Sequence, residues 1–148
     1  MRAHAYVFDE LDEPTCRRLL TTVRIGRLGF THAALPRILP VHFTVRGDDV
    51  VIGSLNGLKV RSAMRGDVVA FEVDSWDPVM HEGWCVNVIG VARMFTDEDD
   101  VAALDALGFT PWSPDQDRYY FAVRMDAVHG RTLTRSYDRL LALSETSA

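Results

Sequence analysis

Residues 37–54 read RILPVHFTVRGDDVVIGS, and the way apolar side chains alternate there decides the fold. Leu39, Val41, Phe43 and Val45 fall on one side of an extended chain, and Ile38, Pro40, His42 and Thr44 on the other. A period of two over residues 37–45 predicts a strand with one buried face. Gly47-Asp48 supplies a hairpin turn, and VVIGS (50–54) returns as the antiparallel partner. Pro40 has no N–H to give to a ladder, so the first strand has an edge or a bulge at that point.

The same period recurs on both sides of the hairpin. IGRLGF (25–30), VVAFEV (68–73), WCVNVIGVARMF (84–95) and RYYFAVRM (118–125) read as further strands, about six in all, with Gly90 marking a bend or bulge in the longest. Helical spacing appears only in short pieces. Asp12 caps a first helix, with Pro14 in its first turn and Cys16, Leu19, Leu20 and Val23 on one face. A second follows Asn56-Gly57, buries Val60, Ala63 and Met64, and stops at Gly66. Thr96 and Asp99 form an acidic variant of the capping box for a third, which carries Val101, Leu104 and Leu107. SYDRLLAL (136–143) reads as a helical turn or two. Closely spaced strands with hairpin turns predict a mainly β, α+β fold built on an antiparallel β-barrel, not a doubly wound sheet. One domain spans 1–143, and 144–148 read as a loose tail.

The totals narrow the function classes. A net charge of -5 excludes a surface built for dense phosphate contact, so no nucleic-acid partner is expected. The two cysteines, Cys16 and Cys85, make no CxxC pair, which fits a reducing, cytoplasmic setting. The N-terminal MRAHAYVFDELDEP has no apolar run fit for a signal peptide, and no stretch approaches the ~20 apolar residues of a membrane span. No membrane partner is expected.

Chemistry concentrates at the strand-to-helix junction IGSLNGLKVRSAMRG (52–66). A helix N-terminus leaves amides unpaired and carries a partial positive charge. Lys59 in the first turn and the Ser54 hydroxyl would make the junction a phosphate-sized anion site. The alternative is a plain Asn56-Gly57 turn beside a solvated lysine. No GxxxxGK[ST] pattern is present, so a nucleoside-triphosphate loop is not supported. The polar Pro40-His42-Thr44 face of the neighbouring strand suits a flat heteroaromatic ligand whose phosphate reaches Lys59. His4, His32, His42, His81 and His129 show no metal-binding spacing. Cys85 in an apolar strand reads as a small core residue rather than a nucleophile. The acidic run at 97–100 complements a helix dipole.

These pieces, in order, resemble the flavin- and deazaflavin-dependent split-barrel proteins of the pyridoxamine 5'-phosphate oxidase superfamily. The resemblance runs from residue 11 to about 133, through CRRLLTTVRIGRLGF, LPRILPVHFTV, VVIGSLNGLKVRSAMRG, VVAFEVDSWD, EGWCVNVIGVA, Pro111-Trp112 and HGRTL. It implies a six-stranded antiparallel split barrel that dimerises, with FMN held between the protomers. Pro40, Val41, His42 and Phe43 would lie beside the isoalloxazine ring. Ser54, Asn56 and Lys59 would meet the phosphate end, and Trp112 would stand near the cofactor. The chain departs from its relatives in having Leu58 before the lysine, Cys85 where a serine is common, and no arginine within VIGVA (88–92).

The implied function is a flavin-dependent oxidoreductase acting on a small molecule, with the redox chemistry carried by the cofactor and no general acid or base among the side chains. Two alternatives stay open. One is a reductase using the deazaflavin F420, whose anionic tail would draw on Arg24 and Arg27. The other is a non-enzymatic flavin- or haem-binding carrier or sensor.

Overall fold

The computed structural model describes residues 6–55, 57–111 and 115–135. Along the chain the elements are β1 (Tyr6–Leu11), α1 (Glu13–Leu20), β2 (Ile25–His32), β3 (Leu35–Arg46), β4 (Asp49–Leu55), α2 (Leu58–Arg65), β5 (Val68–Asp77), β6 (Glu82–Met94), α3 (Glu98–Leu107), β7 (Arg118–Arg124) and β8 (Ala127–Arg135). Asn56, Trp112, the 136–143 segment and the 144–148 tail lie outside the described residues.

The six strands legible in the sequence, β2 to β7, form a closed ring. The sheet order is β1-β8-β6-β5-β2-β3-β4-β7, every pairing is antiparallel, and β6 also pairs with β7. β6 is the seam of the barrel. From Gly83 to Ile89 it pairs with β8, and from Ala92 to Met94 with β7. Gly90 sits at the change of partner. Its pairing with β5 continues unbroken through Val69, so it is no bulge in that ladder. A Cβ at Gly90 would instead strike the backbone carbonyl of Arg124, so glycine is what lets the end of β7 close against β6. β8 and β1 extend the sheet outside the ring. The sequence did not announce them: β8 alternates His129 and Arg131 with Gly130 and Thr132, and β1 carries Asp9 and Glu10.

The alternating residues fill the barrel. Val41 and Phe43 of β3, Ile52 of β4, Phe71 of β5, Val86 and Val88 of β6, and Phe121 and Val123 of β7 are all buried. The Phe43 and Phe71 rings meet edge-on, centroids 4.8 Å apart. A small second cluster packs Leu104 of α3 against Val51 and Tyr120, flanked by Phe95, Val101 and Phe109. There the Tyr120 hydroxyl donates to Asp105 at 2.8 Å.

The turns and caps follow local chemistry. Gly47 takes φ 59° in the β3–β4 turn, a left-handed conformation that glycine adopts without strain. Asp12 caps α1 by accepting from the Thr15 amide at 2.8 Å. Two expectations need correction. The cap of α3 is Asp97, not Thr96, since its carboxylate accepts from the Asp99 and Asp100 amides at 2.9 and 3.2 Å. Met64 is 71% exposed; the inward position on α2 goes to Ser62, whose hydroxyl donates to Asp67 at 2.8 Å. Among the described residues no helix is long and apolar enough to cross a membrane.

Candidate functional site

β3 and β4 part company beyond the His42–Gly53 pair. β3 continues towards Leu35 with only β2 beside it, while β4 ends at Leu55 and the chain turns into α2. The β4-facing edge of β3 is therefore unpaired around Pro40, the edge position that a proline tolerates. The opening is a cleft of about 420 Å³. Leu39, Pro40, Val41 and His42 form one wall, and Gly53, Ser54 and Leu55 the floor. Gly57, Leu58 and Lys59 close one end, and Thr110 and Pro111 the other side.

The electrostatics of the closed end come from α2. Gly57 stands at its N-cap with extended backbone, and no side chain caps the first amides. Those amides are thus left for solvent or a ligand. Lys59 sits in that first turn, half-buried, with no ion pair among the described residues. Burial alone pushes its pKa below the ordinary lysine value, with no carboxylate to restore it. A cation and a helix N-terminus therefore converge on one end of an apolar slot, and neither has an anion.

The structure brings together Pro40, Val41, His42, Ser54 and Lys59 around this cleft. Phe43 does not join them. Its side chain follows the strand alternation into the core, 2% exposed, and its amide donates to the Arg24 carbonyl at 3.2 Å. Ser54 is 4% exposed and its hydroxyl donates to the Leu55 carbonyl at 2.8 Å, so its proton is directed at the chain rather than at the cleft. Arg27 lies on the outer face of the barrel beside Glu72 and Asp74, at 3.7 and 3.8 Å, and is not part of the cleft lining. Thr110 is a lining residue that the sequence reading missed. Its place depends on how the chain returns after the Gly108 end of α3, which no local pattern encodes.

The arrangement is an apolar slot with backbone edges along one wall and a single unneutralised positive end. It fits a planar, largely apolar ring system that carries one anionic group.

Known proteins share both sequence and fold. A family model described as pyridoxamine 5'-phosphate oxidase matches residues 12–132. An uncharacterised protein of Mycobacterium tuberculosis is 41% identical over 108 residues, which is 70% of each chain. The structure of an FAD-binding protein from Mycobacterium smegmatis is 31% identical, with a TM-score of 0.69 over 84% of this chain and 98% of that one. A Corynebacterium glutamicum crystal structure is 27% identical, with a TM-score of 0.74 over 86% of this chain and 99% of the other. On the strength of the match over residues 12–132, the chain belongs to the pyridoxamine 5'-phosphate oxidase family.

Proposed function

We propose that this chain binds FMN in the cleft between β3, β4 and α2, and works as a flavin-dependent oxidoreductase on a small molecule. The observation that carries this reading is Lys59: a half-buried cation without a counter-ion, beside an uncapped helix N-terminus, at the end of an apolar slot. Lys59 and the first amides of α2 would hold the phosphate. Pro40, Val41 and His42 would line the ring, with the Leu39, Leu55 and Leu58 side chains excluding water from it. A bound flavin supplies the hydride chemistry, and the polypeptide supplies position and electrostatics. Asn56 and Trp112 belong to the same proposed site.

A homodimer with the cofactor at its interface is part of this reading. The outer face of the barrel leaves Ile25, Ile38, Val68 and Ile89 at 44–73% exposure, and an obligate interface of more than ~2,000 Å² would cover them. FAD is the second reading, favoured by the 31% identical FAD-binding relative. The test is the absorption spectrum of the purified protein, with mass measurement of the compound released on denaturation. Flavin bands with FMN released support the proposal, and release of FAD moves it to the second reading. A Soret band, an F420 spectrum, or failure to take up either flavin refutes it.

A further inference from the structure

The outer face of the barrel carries a charge pattern that only the strand register reveals. β6 runs between β5 and β8, and each row across the three strands is fixed by pairing. Asp74, Cys85 and Arg131 form one row, and Glu72, Asn87 and His129 the next. Both acids stand on β5 and both bases on β8. The rows on either side are apolar: Trp76, Gly83 and Leu133 beyond one end, Ala70, Ile89 and Ala127 beyond the other.

The acids are one cation short. Arg27 of β2 is the only base beside them in the described residues, and it reaches Glu72 and Asp74 only at 3.7 and 3.8 Å. Burial and the neighbouring Asp74 push the Glu72 carboxyl up to about 7, against the pull of Arg27. His129 and Arg131 are exposed and make no ion pair among the described residues.

We propose that a second copy of this chain docks on this face about a twofold axis lying along β6, with Glu72 and Asp74 of each copy against His129 and Arg131 of the other. Such an axis leaves β6 opposite itself and exchanges the two flanking strands. Each acid of β5 then meets a base of the partner's β8 in the same row, and each apolar row meets an apolar row. Two strands out, Glu10 of β1 comes opposite the partner's β2, which carries Arg27. Any other partner matches only half of this pattern: a basic one is repelled by β8, and an acidic one by β5. A second copy matches all of it, because an isologous contact pairs a surface with itself. The cleft opens at the rim of the same face, since Pro40, Arg27, Glu72, Asn87 and His129 form one continuous row. The inference rests on the homodimer proposed above and names its surface.

The test is a charge swap on the full chain, read by sedimentation equilibrium at physiological salt. The wild type should be a dimer. Arg131→Glu alone sets acid against acid, and Asp74→Arg alone sets base against base. Each should raise the dimer dissociation constant by at least ~30-fold, as like charges facing across an interface do. An equimolar mixture of the two variants should form a one-to-one heterodimer close to wild-type affinity, since both contacts are then between opposite charges. Unchanged melting temperatures of the variants confirm that each is folded. Should either variant melt early, Arg131→Gln and Asp74→Asn replace the pair and should each weaken the dimer less. Variants as dimeric as the wild type, or folded variants that fail to pair when mixed, overturn this surface while leaving a homodimer standing. A wild type that is monomeric at micromolar concentration overturns both.

Discussion

Replacing Lys59 with methionine should make the ligand-free protein no less stable while it weakens FMN binding. The side chain keeps its length and loses its charge. Lys59 is half-buried and has no carboxylate among the described residues to offset what burial costs its charged form. Removing that charge should leave the melting temperature unchanged or raise it by up to about 2–4 °C, the equivalent of ~1 kcal/mol for a chain of this size. The sign follows from proton binding. The folded pKa lies below the ordinary 10.5, so between the two values the unfolded chain holds more protons. Stability of the free wild type therefore rises with pH through that alkaline window, and the methionine variant lacks the rise. With a phosphate in place the same charge is an asset. A hydrogen bond to a charged group contributes about 1.5–3 kcal/mol, so FMN should dissociate roughly 10- to 150-fold more readily from the variant. Riboflavin, which has no phosphate, should bind both proteins alike. Flavin fluorescence quenching gives the dissociation constants, and calorimetric melts of the free proteins from pH 7 to 10.5 give the stabilities. Equal loss for FMN and riboflavin would mean general damage to the cleft. An unchanged FMN constant would place the phosphate elsewhere, and a lower melting temperature would show that Lys59 has a stabilising partner.

Leu58 packs against the main core, so Leu58→Thr should lower stability by ~1–2 kcal/mol, seen as a drop in melting temperature. The added hydroxyl in the first turn of α2 should tighten FMN by about 0.5–1.5 kcal/mol, read by the same quenching titration. Gly90→Ala drives a methyl group into the Arg124 carbonyl at the barrel seam and should cost ~3 kcal/mol or more, measured as a lower urea midpoint. Asp97→Ala should cost ~1 kcal/mol by removing the cap of α3, while Thr96→Ala should leave the melting temperature nearly unchanged.

The barrel strands were legible because each has a wet side and a dry side. Val41 and Phe43 alternate with His42 and Thr44, and that alternation is what places them in or out of the core. β8 escaped notice because its inward residues include Gly130 and Thr132, which carry little apolar signal, while its outward ones are charged. The junction around Lys59 could be read from one short stretch, since a helix start, a cation and a small polar strand end lie within a few residues. Phe43 shows how two readings of one residue differ. The alternation assigned it to the core, the resemblance set it beside a ring, and its side chain follows the alternation. Thr110, and the acids and bases facing outward on β5 and β8, depend on which distant segments become neighbours. Register decides that, and register is settled only once the sheet has closed.

The separate cluster under α3 sets a kinetic boundary within the chain. Leu104, Val51 and Tyr120 form a unit apart from the main core, tied down by the single Tyr120–Asp105 side-chain bond. A segment held by so small a cluster opens at a fraction of the free energy needed to unfold the whole barrel. Its amides should exchange with deuterium well before those of β5 and β6. Thr110 and Pro111, which follow directly, wall the cleft. Each brief release of α3 is thus also a widening of the cleft. Exchange across residues 98–107, followed with and without flavin, times how often the cleft comes ajar.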